Sequence, residues 1–541
     1  MPHAAPAPPD LPTDAAHLRA LVLAMMAERD EAVGARDALA AAHAQLQAAH
    51  DLLAERAARL EHLLRTLRRL HYGAKSERLP EAQLQLGLED TEAAIAKVEA
   101  EQERDDPALR RERAAKRRAN RGKLPAHLPR IEVELAPQDT ACPCCRAAMV
   151  VIGEDSSERL DVIPAQFRVL VTRRPKLACR SCTGMVVQQA APSRLIEGGI
   201  PTEATVAHVL VARYADHLPL YRQAQIWTRQ GVSIDRSTLA SWVGTAAAEL
   251  APVVARLKQI VLGSARIFAD ETHVPVLDPG RGRTKKGYFW AIARDDRPWS
   301  GKDPPAVVYT YAPGRAHAHG VALLGGFRGI LQVDGYGAYR KLVDPAGKAG
   351  PSALAFCWSH VRRGFTDVTK GGNAPIATEA LQRIAALYRI ESEIRGGTAA
   401  ERLAHRRARS APLVADLHAW FHAQHARLFM RGTTAEAIGY ALRHWDGLVR
   451  LLNDGRIELD TNCVERSMRP VALSRKNALF AGSDDGAENW AIVASLVETC
   501  KLNAVDPQRY LADTLTRLVN GWRQSRIDEL MPWVTATEKT A

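Results

Sequence analysis

Apolar positions along the chain change their period several times. Leu39, Leu46, Leu53, Leu60 and Leu67 recur every seven residues, and Ala42, Ala49, Leu63 and Leu70 fill the position three later, with Arg56 as the one break. Five heptads without proline predict a coiled coil (leucine zipper) over residues 18–105, interrupted by Gly and Pro in HYGAKSERLP (71–80). Residues 1–17 carry no such period and read as a disordered N-terminus. From about residue 132 the period drops to two: IEVELAP and FRVLVTRRPKLACRSC alternate like short strands. Helical spacing returns over 203–248. A helix ending near Arg229, a turn at Gly231 and a second helix from about Asp235 form a helix-turn-helix pattern over 197–256. Its apolar set, Ile226, Leu239, Trp242 and Val243, suits a DNA-reading motif or a buried helical hairpin equally well.

A β-rich block follows. ARIFADETHVPVL (265–277), GYFWAIARD (287–295) and AVVYTYA (306–312) read as consecutive strands, AHGVALLGG as a helix, GILQVDGYGAY (329–339) as a buried strand ending at Asp334, and SALAFCWSHVRRGF (352–365) as a strand entering a helix. Three strands, helix, strand, helix, strand is the order of an RNase H-like fold. The predicted architecture is therefore multidomain: an α coiled coil, a basic linker (106–131), a cysteine-bearing ribbon (132–196), the helix-turn-helix region, an α/β RNase H-like domain (257–486) with a helical insertion at about 366–455, and a helical C-terminus (487–541).

Charge adds a partner class. The net charge is +12, and residues 107–130 alone hold nine Lys or Arg against one Glu. Such a run suits a polyanion, and Arg117, Arg118 and Arg121 are candidate phosphate contacts; a solvated linker is the plain alternative. If the second helix of the helix-turn-helix enters a DNA groove, Arg236, Ser237, Thr238 and Ser241 face it. No run of 18 apolar residues occurs, which argues against a membrane span. The N-terminus lacks the pattern of a signal peptide, so a cytoplasmic protein is expected.

Two constellations carry candidate chemistry. Cys142 with Cys145 and Cys179 with Cys182 form two C-x-x-C knuckles 34 residues apart, the four soft ligands of a closed structural zinc site; Cys144 is spare and could exchange with Cys145. Asp270 lies in the first strand of the β-rich block, Asp334 ends the fourth, and Glu465 sits on a later helix. The first and fourth strands are neighbours in an RNase H-like sheet, so the two aspartates converge and the helix supplies a third acid. Three carboxylates in one place need a cation, and hard oxygen ligands suit two Mg²⁺ or Mn²⁺ ions. Arg466 and Arg469 share the helix with Glu465, and both suit DNA phosphates. Plain alternatives exist: Asn462 with Glu465 resembles a capping box, and Asp334-Gly335 is an ordinary turn signal.

These stretches resemble the insertion-sequence-66 family of bacterial transposases. The resemblance covers roughly residues 35–533 and rests on HYGAKSERL, CPCC with CRSC, VARYADHLPLYRQ, FADETHVPVLDPGRGRTKKG, VDGYGAY, CWSHVRRGF, LDTNCVERSMRPVALSRKN, FAGSDDGAENWA and ETCKLNAVDP. Thr461, Cys463 and His273 depart from the usual residues without removing an acid. The resemblance implies that Asp270, Asp334 and Glu465 form a DDE triad, that one zinc ion sits on the four cysteines, and that the protein cuts and joins the terminal inverted repeats of its own element. It also implies target DNA as a partner and two small companion proteins; the heptads themselves point to self-association through the coiled coil, with a helix packed on its own domain as the alternative, and a nucleoid-associated location is expected. Arg362 and Arg363 of CWSHVRRGF join the candidate DNA contacts. A non-cutting DNA-binding repressor or scaffold of the same architecture is the alternative.

Overall fold

A computed structural model of the chain describes residues 14–72, 81–126, 128–163, 166–181, 185–278, 283–343, 350–429 and 432–537. The chain divides after Arg65 into two units. The first holds most of one long helix, α1 (Ala15–Tyr72). Ala, Leu, Glu, Arg and Gln dominate it, all strong helix formers. It begins inside the stretch expected to be disordered, of which residues 1–13 lie outside the described residues. Leu39 and Leu46 of the heptad are 72% and 71% exposed. The side chains of Leu53, Leu60 and Leu67 lie outside the described residues, as does most of the break at 71–80.

The second unit opens with α2 (Glu81–Asp105) and α3 (Pro107–Asn120). The expected basic linker is thus largely helix. Asp106 caps it by accepting from Ala108 N and Leu109 N at 2.8 and 3.1 Å, with Pro107 in the first turn. Arg117 does not reach outward. It forms a two-bonded pair with Glu103 at 2.8 and 2.9 Å and donates to Glu197 O. Arg117→Ala should therefore lower the melting temperature with little change in DNA affinity, whereas exposed Arg118→Ala should do the reverse; parallel melts and binding titrations check both.

Next comes the ribbon. Strands β1 (Arg130–Glu134), β2 (Val150–Ile163), β3 (Gln166–Ala178) and β4 (Val186–Gln188) form one sheet in which β3 is central. Antiparallel β2 and β3 pair from Ile163↔Gln166 to Val150↔Ala178. One end of this long hairpin carries Leu160, Val162, Phe167 and Val169 into the main core. The other end presents the cysteines.

Helices α4 (Glu203–Tyr214), α5 (Leu220–Arg229) and α6 (Arg236–Leu262) follow. α6 is long and apolar enough to cross a membrane, but its apolar residues are buried in the core among Trp227, Val206 and their neighbours. Its N-terminal half was the expected groove reader. Instead α2 lies against it. Arg236 Nη1 is 3.6 Å from Glu92 Oε2, and Ser241 lines a crevice shared with Ala96 and Ala100. A Cβ on Gly244 would come within 1.7 Å of Ala93 O, so glycine is what lets the two helices touch. This is the buried-hairpin alternative. Gly244→Ala should separate α2 from α6 at a cost of about 1–3 kcal/mol, seen as a lower melting temperature and faster amide exchange over residues 92–105.

The central sheet contains β5 (Arg266–Asp278), β6 (Arg283–Arg294), β7 (Ala306–Ala312), β8 (Ile330–Val333) and β9 (Ala353–Phe356) in the order β7-β6-β5-β8-β9. The first three are antiparallel neighbours; β5, β8 and β9 run parallel. α7 (His317–Leu324) and α8 (Gly337–Arg340) flank β8, and α9 (Trp358–Lys370) leaves β9. The insertion is helical: α10 (Pro375–Ile394), α11 (Ala399–His405), α12 (Ala411–Arg427), α13 (Thr433–Arg443) and α14 (Trp445–Leu448). A buried polar chain ties it to the sheet. Arg406 pairs with Glu391 at 2.7 Å and Arg402 with Glu458 at 2.7 Å, while Glu458 and Gln332 of β8 exchange two hydrogen bonds at 3.0 Å.

The last helices are α15 (Asn462–Ala478), α16 (Asp484–Leu502), α17 (Pro507–Val519) and α18 (Pro532–Thr537). α15 is fixed to the sheet. Tyr309 Oη of β7 donates to Ser467 O at 2.5 Å, Arg475 Nη1 donates to His273 O at 2.6 Å, and Ala481 exchanges 2.8 Å backbone bonds with Pro275 and Leu277 of β5. α16 covers the β7 edge: Ser495 Oγ accepts from Tyr309 N at 2.9 Å, and Thr499 Oγ1 accepts from Val307 N and donates to Val307 O.

Candidate catalytic site and cysteine cluster

Strand register places the first two acids. Phe268 of β5 is level with Gln332 of β8 in a parallel pair. Asp270 and Asp334 each lie two residues further on, so they share one level and, by the period of two, the same face as those partners. Asp334 also serves the turn. One of its oxygens accepts from Tyr336 N at 2.8 Å, and Gly335 has a φ of +100°. A side chain on Gly335 would be strained and would press on His444 Nε2 at 2.7 Å. Tyr440 Oη of α13 holds Asp334 O at 2.5 Å. The turn signal and the acid role are therefore compatible.

Glu465 comes from the first turn of α15. The capping-box alternative does not form: Thr461 is the N-cap, and Asn462 donates to Asp460 at 3.1 and 2.6 Å instead. Glu465 Oε1 accepts from Thr461 Oγ1 at 3.2 Å and lies 3.6 Å from His360 Nδ1, while Oε2 is 3.4 Å from Arg363 Nη2.

Electrostatics tie the three acids together. Burial, with the neighbouring carboxylates of Glu271, Asp334 and Glu465, pushes Asp270 up to about 7. The backbone N–H of Glu271 donates to it at 2.9 Å, and among the described residues Asp270 makes no ion pair. Glu271 points the other way and was not singled out by sequence. Its side chain is 1% exposed and is held by Arg315 and Tyr339 Oη, and burial still raises it above the usual carboxylate range. The adjacent Asp-Glu pair was the available signal. Arg315 packs on Tyr336, 3.6 Å from the ring centre. With Asp334, His360 and Tyr440 it lines a cleft of about 660 Å³.

The expected DNA contacts separate into two groups. Arg117 and Arg236 are engaged within the protein, and Thr238 lies half-buried on the α6 turn near α2. Arg118, Arg362, Arg466 and Arg469 are exposed, and Arg363 is 57% exposed. Arg121 ends α3 half-buried. Arg466, Arg469, Leu473 and Lys476 form the outer face of α15, while Val464, Ser467, Met468 and Val471 face inward. Arg466 and Arg469 make no ion pair among the described residues.

At the far end of the ribbon, Cys142, Cys145 and Cys179 place their sulfurs within 4.8 Å of one another. Cys145 and Cys179 Sγ are 3.6 Å apart. Zinc bonded to sulfur at 2.3 Å in a tetrahedron spaces its sulfurs by about 3.8 Å, so the donor set fits that metal. The knuckle is shaped by Cys142 N donating to Ala147 O and Arg146 N donating to Cys142 O, both at 2.8 Å. Met149 and Leu177 pack against Cys142 and Cys179. Cys144 is exposed and outside the cluster; Cys182 lies outside the described residues.

Comparison with known proteins first defines a class: the chain is a transposase with zinc-finger and DDE elements. Residues 198–489 match the transposase IS66 family, 495–533 the IS66 C-terminal element, 139–183 the zinc-finger binding domain of transposase IS66, and 59–133 a family described as transposase C of IS166 homeodomain. The chain belongs to the IS66 transposase family. The match over 198–489 contains all three acids, and that over 139–183 contains all four cysteines. Three relatives, each an uncharacterized protein of Sinorhizobium fredii, run nearly the full length. y4qI is 44% identical over 534 residues, 97% of both chains. y4jD is 44% identical over 472 residues, 86% of this chain and 92% of its own. y4hP is 36% identical over 490 residues, 88% of each.

Proposed function

We propose that this protein binds the terminal inverted repeats of its insertion sequence and performs metal-dependent strand cleavage and strand transfer, with Asp270, Asp334 and Glu465 as ligands of two Mg²⁺ or Mn²⁺ ions. The observation that carries the reading is the state of Asp270: its burial and the nearby charges of Glu271, Asp334 and Glu465 raise it, and among the described residues it makes no ion pair. Such a site is suited to a hard divalent ion. The strand order supports an RNase H-like fold. Bound there, two ions supply an activated water or 3′-hydroxyl and a stabilised leaving oxygen. The chain's part is to hold three acids rigidly, two by register and one by the pinned helix α15. Exposed Arg466 and Arg469 are assigned to phosphates beside the site, Arg362, Arg363, Arg118 and Arg121 to flanking DNA. The cysteines take one structural zinc. α1 is assigned to self-association as a coiled coil, consistent with its exposed leucines, and companion proteins of the same element and a cytoplasmic, nucleoid-bound location are part of the same proposal.

The deciding experiment is a Mg²⁺-dependent cleavage assay on DNA carrying the element's ends. Binding without cutting would instead make the protein a repressor or scaffold. Arg469→Ala should reduce cleavage roughly 100-fold with end affinity within a few-fold of wild type, because a guanidinium near the scissile phosphate acts on charge that develops in the transition state. Equal losses in both assays would make Arg469 an ordinary phosphate contact.

A further inference from the structure

CWSHVRRGF places Cys357 at the junction of β9 and α9 and His360 one turn into the helix. That turn is fastened to the segment carrying Glu465. Trp358 N donates to Leu459 O at 3.0 Å, and Cys357 Sγ accepts from Thr461 N at 3.3 Å. The first turns of α9 and α15 are thereby locked side by side. The consequence is a close cluster: Cys357 Sγ, a ring nitrogen of His360 and a carboxylate oxygen of Glu465 lie within 4.8 Å of one another. His360 Nδ1 is buried, has no hydrogen-bond partner among the described residues, and lies 3.6 Å from Glu465 Oε1. A buried ring nitrogen without a partner is costly unless the site uses it. Its neighbour on the other oxygen, Arg363, is 57% exposed against 22% for His360. Arg363 can swing to a phosphate; His360 cannot leave.

We propose that His360 is a positioning residue for Glu465, setting the direction in which its carboxylate faces Asp270 and Asp334, with Cys357 fixing the backbone that makes this possible. The inference rests on the acids being ligands of a divalent cation. Groups that orient a ligating carboxylate typically affect metal affinity by 10–100-fold. The register of β5 and β8 already fixes both aspartates. Glu465 reaches in from a helix and needs a support of its own.

The test uses the full chain bound to DNA carrying the element's ends, with Mn²⁺ titrated and free Mn²⁺ followed by electron paramagnetic resonance. His360→Ala should weaken Mn²⁺ binding about 10-fold or more and raise the Mn²⁺ needed for half-maximal cleavage by the same factor, with DNA affinity and melting temperature unchanged. His360→Gln, whose amide can approach Oε1 from the same side, should recover part of the loss. Unchanged Mn²⁺ affinity in His360→Ala, with affinity lost in Glu465→Gln, overturns the positioning role and leaves the acid assignment standing. Unchanged affinity in Glu465→Gln as well overturns both. A lower melting temperature in His360→Ala with no recovery in His360→Gln makes the histidine a packing residue and overturns the proposal.

Discussion

Glu465→Gln, Asp270→Asn and Asp334→Asn should each lower cleavage of the element's ends by roughly a thousand-fold or more while leaving binding to those ends intact. The amides are nearly isosteric, so shape and phosphate contacts survive; what is lost is the charge that holds a hard cation. Cleavage by any one of them at near wild-type rate in Mg²⁺ would remove that residue from the site. Asp270→Asn carries a second expectation. Burial and neighbouring acids raise Asp270 to about 7 in the folded chain, above the value of about 3.9 for an unfolded aspartate. Its ionisation therefore costs stability, a cost that grows as pH rises between those values and is complete above about pH 7. At pH 8 in chelator, the asparagine variant should melt above wild type, and the gap should close towards pH 4. Loss of activity with gain of stability is the signature of a site strained for function.

Cys179→Ser should release the zinc and loosen one end of the ribbon. The affinity of a closed thiolate site is also folding energy, about 10 kcal/mol or more for small zinc domains. The purified wild type should contain about one zinc per chain. The damage should stop part-way along the hairpin: Leu160, Val162, Phe167 and Val169 belong to the main core, whereas Met149, Leu177 and Val187 belong to the separate cluster with Cys142 and Cys179. Amide exchange should rise over 141–153 and 175–188 and stay slow over 158–171. Cys144→Ser should be nearly silent. A zinc-free protein with an intact exchange pattern would sink the metal assignment.

Where short apolar runs are bounded by turn residues, the sequence was legible. FADETHVPVL and ILQV gave β5 and β8, with Asp270 inside the first and Asp334 just past the second. The cluster of Cys142, Cys145 and Cys179 was legible because C-x-x-C allows few other geometries, while Cys182 lies outside the described residues. What escaped depends on small residues and on partners distant in sequence. α3 hid within a charge run, although Asp106-Pro107 announced its cap. The cover on α6 escaped because α2 buries alanines (Ala93, Ala94 and Ala96 are at most 5% exposed), and alanine every few residues resembles a polar helix as much as a core one. His360 escaped because its meaning lies in Glu465, more than a hundred residues away.

The β7 edge leads elsewhere. A gene copy truncated before α16 would be more than a shortened protein. The hydroxyls of Ser495 and Thr499 satisfy the outward-facing amide and carbonyl groups of Val307 and Tyr309, which would otherwise offer a free strand edge. A relic ending near residue 486 would keep all three acids and expose that edge, and it is expected to accumulate as insoluble protein. If the protein binds its element's ends as proposed, the C-terminal element would set which shortened copies can still yield a soluble competitor for them.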